Sequence, residues 1–104
     1  MVAIEKQQSR PRQAGVLMTG FGFGLMVGTV AALRLPYEIV TVGRWQRALF
    51  GAVKAKDTKA RSVAYVQARL PDLPLTWGRR RKPHDGLADA ACLALWAGAS
   101  CDTR

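Results

Sequence analysis

Twenty consecutive residues, Ala14 to Leu33, carry no charge, with Arg10 and Arg12 before them and Arg34 after. A run of this length either spans a bilayer or forms a helix that the rest of the chain has to cover. Gly20, Gly24 and Gly28 recur at the four-residue spacing by which membrane helices approach one another. Five glycines and two threonines among the twenty residues nevertheless lower both hydrophobicity and helix propensity. Cations flank both ends without the asymmetry that orients a span. The preferred reading is a buried helix from about Gln13 to Leu33 whose glycine face packs against a sheet. A small single-pass membrane protein is the rival.

The remaining composition favours a small globular domain. In 104 residues, 49% are hydrophobic and 22% charged, too apolar for a disordered chain and too polar for a multispanning one. Sixteen Lys and Arg against seven Asp and Glu leave a net charge of +9. That excess selects a polyanionic partner, because cations on phosphates release condensed counterions. Nucleic acid comes first and an anionic membrane second. Cys92 and Cys101 form no metal-ligand spacing, and no cleavable signal peptide is evident. The expected setting is therefore a reducing cytoplasm, with Cys92 packed on an apolar helix face.

Val2-Ala3-Ile4 reads as a short strand running into Glu5, and Ser9 to Arg12 as a loop. Pro36 ends the apolar helix, and Tyr37 to Val42 is a second strand rich in β-branched and aromatic residues. Strand, helix, strand implies a parallel βαβ unit. Asp57 is a suitable N-cap for a helix carrying Ala60, Val63, Ala64, Val66 and Leu70, stopped by Pro71 and Pro74. Residues 79–83, within Trp77 to Pro83, form a basic loop, since adjacent like charges repel and Pro83 disfavours helix before it. A last helix runs from about Gly86 to Ala97, burying Leu87, Ala91 and Leu95 with Ala88 and Cys92 beside them. Residues 99–104 read as a frayed end.

Three of the seven carboxylates sit in unusual places. Glu5 ends a strand, and Asp85 and Asp89 open an apolar helix, four residues apart, with His84 adjacent. Carboxylates and a histidine beside Arg79 to Lys82 are what a site needs to hold hard divalent cations against phosphate. The competing reading makes Asp85 an N-cap and Asp89 a dipole partner in the first turn.

The order of parts adds a further indication. Val2-Ala3-Ile4-Glu5-Lys6-Gln7, the Gly-rich helix, Val40 to Gly51, Asp57-Thr58-Lys59-Ala60-Arg61-Ser62 and His84-Asp85-Gly86-Leu87-Ala88-Asp89-Ala90 together resemble RuvC-type Holliday junction resolvases of the phage type. These belong to the RNase H-like nuclease superfamily. The resemblance runs from Val2 to about Gly98, and its most specific piece is His-Asp-Gly-x-x-Asp-Ala. It implies catalytic and metal-binding roles for Glu5, Asp85 and Asp89, with His84 as a substitute ligand, and two Mg²⁺ or Mn²⁺ ions. The implied reaction is endonucleolytic hydrolysis of branched DNA in recombination and repair, leaving 5'-phosphate and 3'-hydroxyl ends. Homodimers are also implied, because a junction offers two symmetric strands, and the Gly-rich helix is a candidate for that contact.

In the family a three-stranded meander comes first, and its first strand carries an essential Asp in an Asp-x-Gly context. No such strand precedes Val2. The expectation is thus a single α/β domain over residues 1–104, an incomplete RNase H-like fold with strand, helix and strand followed by two helices. It lacks the N-terminal strands through truncation, a misplaced start or loss, and its activity is impaired, since a bridging carboxylate holds both cations at their working separation. For DNA contact, Arg79, Arg80, Arg81 and Lys82 are the first candidates. Arg44 and Arg47, with Trp45 stacking on bases or plugging the core, are the second. Lys54, Lys56, Lys59 and Arg61 track the backbone or form a solvated helix start. A non-catalytic nucleic-acid-binding module is the alternative to the enzyme.

Overall fold

A computed structural model of the chain describes residues 1–7, 14–51 and 58–102, with backbone alone at 58, 59, 101 and 102. The loop at Ser9 to Arg12, Lys54, Lys56 and the Asp57 cap lie outside the described residues. Two strands form, β1 (Val2–Glu5) and β2 (Tyr37–Val40), joined by helix α1 (Val16–Ala32). They pair in parallel, with Val2 opposite Tyr37 and Glu5 opposite Val40, so the expected βαβ unit is present. The Val2 and Lys6 N–H groups donate to Pro36 O and Val40 O, both at 2.8 Å. Alternation then turns the backbone groups of Ala3 and Glu5 to the other edge of β1, where no strand pairs among the described residues.

Three helices follow β2 where two were expected. β2 stops at Val40, and Thr41 caps α2 (Val42–Phe50), its hydroxyl accepting the Arg44 N–H at 3.4 Å. Val42, Trp45 and Leu49 have helical spacing, but Gly43 and two arginines within nine residues conceal it. Gly51, at φ 75°, closes the helix with its N–H on Arg47 O at 2.9 Å. Helix α3 (Thr58–Arg69) and helix α4 (Asp85–Asp102) complete the fold, α4 running on beyond Ala97.

The core gathers around α4, which packs on α3, β1 and α2. Its buried stripe is Ala88, Cys92, Trp96 and Ala97, while Leu87, Ala91 and Leu95 are half-buried. The stripe is displaced from the one expected because neighbours on three sides, not one, cover the helix. Val40, Trp45, Val66 and Leu75 fill the other side of this core. Trp45 is fully buried, edge-on to Phe50 at 5.9 Å, and donates its indole N–H to Glu5 Oε2 at 3.0 Å.

Helix α1 departs most from expectation. None of its residues is buried, and Leu17, Met18 and Phe21 are 81%, 70% and 61% exposed. A Cβ added at Gly20, Gly24 or Gly28 would meet nothing within 4 Å, so the glycine face packs on no sheet. Length is the physical reason: 17 residues make a helix about 25 Å long, whereas a four-residue strand spans only about 13 Å. Among the described residues no helix is long and apolar enough to cross a membrane.

Trp45→Phe keeps an aromatic ring but removes the indole N–H from Glu5 and leaves a void. Urea unfolding is expected to show a loss of about 2–3 kcal/mol.

Candidate functional site

The C-terminal end of β1 carries Glu5 to a groove of about 600 Å³ between that strand and α4. Met1, Ala3 and Ile4 of the β1 segment form one wall, Met26 of α1 contributes from the side, and Asp89, Ala90, Leu93 and Ala97 of α4 form the other. Small residues on this face of α4 keep the groove open. Glu5 and Asp89 are thus brought to one cavity from positions far apart in sequence. Glu5 Oε2 accepts the Trp45 indole, while Asp89 Oδ1 is buried with no hydrogen-bond partner among the described residues. A buried carboxylate oxygen without a donor is costly, and such atoms mark sites that a cation, water or substrate satisfies.

Asp85 goes elsewhere. It lines a separate groove of about 520 Å³ with Ala60, Val63, Gln67 and Lys82, on the α3 side of α4. His84 serves the helix itself: its Nδ1 accepts the Leu87 N–H at 2.9 Å, and its carbonyl accepts the Ala88 N–H at 3.1 Å. The N-cap is therefore His84, with Asp85 in the first turn, where the dipole favours a negative charge. Gly86 permits this cap, since a Cβ there would lie 3.0 Å from His84 Cε1. Among the described residues no cluster of three or more His, Cys, Asp or Glu is placed to hold a metal.

Cys92, one turn beyond Asp89, is buried with its thiol on Ser62 O at 3.9 Å. Burial, and then the nearby Asp89, push its pKa up to about 11 against the lowering effect of the Ser62 contact, so it remains a thiol and packs as expected.

The cationic candidates separate into three settings. Arg44 is engaged by the fold: its Nη1 pairs with Glu38 Oε1 at 2.6 Å and its guanidinium lies 5.4 Å from the Trp96 ring centroid. Arg47 lines a shallow cavity with Arg44 and Thr41. Trp45 is in the core, which rules out the stacking role considered for it. On α3, Arg61 is half-buried, and the Lys59 side chain lies outside the described residues. Arg79, Arg80, Arg81 and Lys82 are all exposed on the expected loop. Trp77, which begins that loop, was not singled out from sequence; it is 53% exposed and stacks on His84 at 5.4 Å and 21°. An aromatic residue two positions before four cations was the available signal.

No family model matches the chain, and no curated protein or solved structure matches it either.

His84→Ala removes the acceptor for the Leu87 N–H and is expected to cost about 1 kcal/mol, whereas His84→Asn retains an N-cap. Thermal melts of the two variants check this, the Ala form melting several degrees lower.

Proposed function

We propose that this chain is an RNase H-like domain of the RuvC type, a metal-dependent, structure-selective endonuclease acting on branched DNA. The observation that carries this reading is the groove at the end of β1, which holds Glu5 together with an Asp89 oxygen that is buried and unpartnered. Hard oxygen donors of this kind suit Mg²⁺ or Mn²⁺. Glu5 through its second oxygen and Asp89 through Oδ1 are the ligands available for one ion. When bound, such an ion neutralises charge on the scissile phosphate and acidifies a water. The second ion calls for a further acidic group, which the described residues do not place beside Glu5 and Asp89. Trp45 orients the Glu5 carboxylate, His84 fixes the start of the helix that presents Asp89, and Arg79 to Lys82 hold the DNA backbone. The domain works as a homodimer in this reading. The exposed Leu17, Met18, Phe21 and Leu25 of α1 offer an apolar surface for that contact.

A second reading, a nucleic-acid-binding module without chemistry, is favoured by two observations. Half of the Glu5 carboxylate is engaged by Trp45, and Asp85 lines a different groove.

Incubating a synthetic four-way junction with the chain and Mn²⁺ or Mg²⁺ at low salt separates the two. Cleavage that falls about a hundredfold or more in Asp89→Asn is expected of the nuclease. Junction binding with no cleavage in either protein selects the module. Light scattering tests the dimer: Leu17→Glu with Phe21→Glu is expected to give monomer, and a parent chain already monomeric at micromolar concentration sinks that part.

A further inference from the structure

Trp77 takes no part in the proposed cleavage, although Arg79 to Lys82 of the same loop hold the DNA backbone in it. The two ends of the loop are fixed. Leu75 is buried in the core, and the His84 N–H closes the loop onto Leu75 O at 2.8 Å, immediately before α4. Between them, Gly78 at φ 61° makes a tight turn in which the Arg80 N–H returns to Trp77 O at 3.1 Å. Gly78 is needed there because a side chain rarely adopts that backbone conformation. Trp77 is thus displayed by a preformed turn, with no disordered segment to be ordered on binding.

An indole held more than half exposed gains little for stability, and the residues beside it make it a recognition element instead. His84 lies nearly parallel to it, fixed in turn by its bond to the Leu87 N–H. The Arg80 guanidinium sits 5.7 Å from the ring centroid, its Nε bonded to Lys82 O at 2.9 Å. Arg79, Arg81 and Lys82 follow on the same loop, all exposed. Planar cations stack on aromatic faces and also grip phosphate with two N–H groups. A flat apolar ring within a cluster of such cations matches a nucleotide in both its parts, base and phosphate.

We propose that Trp77, braced by His84, is a stacking site for an unpaired nucleobase, with Arg79 to Lys82 carrying the adjoining phosphates. The site would read a splayed base at a branch or single-stranded end, and it rests on the nucleic-acid part of the function proposed above. The incoming base displaces the Arg80 guanidinium from the indole, and the released cation turns to phosphate. A lipid headgroup fits less well, since it offers phosphate but no planar ring to extend the stack.

Trp77 is exposed, whereas Trp45 and Trp96 are buried, so tryptophan fluorescence reports on the site directly. The probes are a short oligothymidylate and an abasic oligomer of the same length, titrated in EDTA so that neither metal nor cleavage enters. Oligothymidylate is expected to quench the exposed tryptophan and to bind more tightly than the abasic oligomer. Trp77→Ala should weaken oligothymidylate about tenfold and abolish quenching, while the affinity for the abasic oligomer and the salt slope stay unchanged. Trp77→Phe should keep most of the affinity, and circular dichroism should show both variants folded. Equal binding of the two oligomers, with Trp77→Ala behaving like the parent, overturns the stacking site and leaves a phosphate-binding loop. No binding of either at low salt overturns the site together with the nucleic-acid reading. A blue shift on anionic phosphatidylglycerol vesicles without quenching by oligothymidylate overturns it in favour of a lipid surface. Absence of junction cleavage bears on the metal groove alone.

Discussion

The indole N–H of Trp45 has to find an acceptor inside the core, and much of the fold depends on its finding Glu5. Trp45 is fully buried between β2, α3 and α4, and a donor left without a partner there would offset a large part of what its ring contributes by burial. By reaching the carboxylate at the end of β1, it ties the strand to the helix that follows β2. The sheet alone is too small for that task, with two strands of four residues each. The same bond orients the carboxylate toward the groove. Structure and proposed chemistry therefore share one residue, and any ligand of Glu5 meets a side chain already held on one oxygen.

Helix α4 is the second organising element. Its small residues let several elements approach at once: Ala88, Cys92 and Ala97 meet the core, and Ala90 borders the groove beside β1. A helix covered on several sides has side chains pointing into several environments. Asp89 and Asp85 are one turn apart, yet one lines the β1 groove and the other the groove beside α3. Helix α1 is the counterexample, apolar all round with no residue fully buried, although Phe23, Val27 and Val30 are half-buried and Met26 borders the β1 groove. Its exposed leucines and methionines leave an apolar surface, and an assembly with a second copy is the arrangement proposed to cover it.

Much of this organisation was legible in the residues. The β-branched and aromatic runs at Val2 to Ile4 and Tyr37 to Val42 marked both strands, the second ending two residues earlier than the run, and their separation by a long apolar segment implied parallel pairing. Pro83 and four adjacent cations marked the basic loop. Helix α2 was not legible, because glycine and two arginines interrupt an apolar stripe of only three residues. His84 as an N-cap was missed for a different reason. Histidine is not a common capping residue, and its role depends on a ring folding back over a glycine.

The order of residues suffices for a basic α/β chain with a parallel βαβ unit, a cationic loop and acidic residues at a strand end and a helix start. Local propensity and periodicity carry that much, since each is a property of neighbouring residues. Which acidic residues meet, that Trp45 belongs to the core and Trp77 to the surface, and that α1 keeps most of its apolar side chains exposed are outcomes of packing. Those outcomes turn on the direction of each side chain, and on a helix that direction changes by about 100° with every residue. Which direction is inside is set by the neighbours that pack against the helix, and they come from distant parts of the chain.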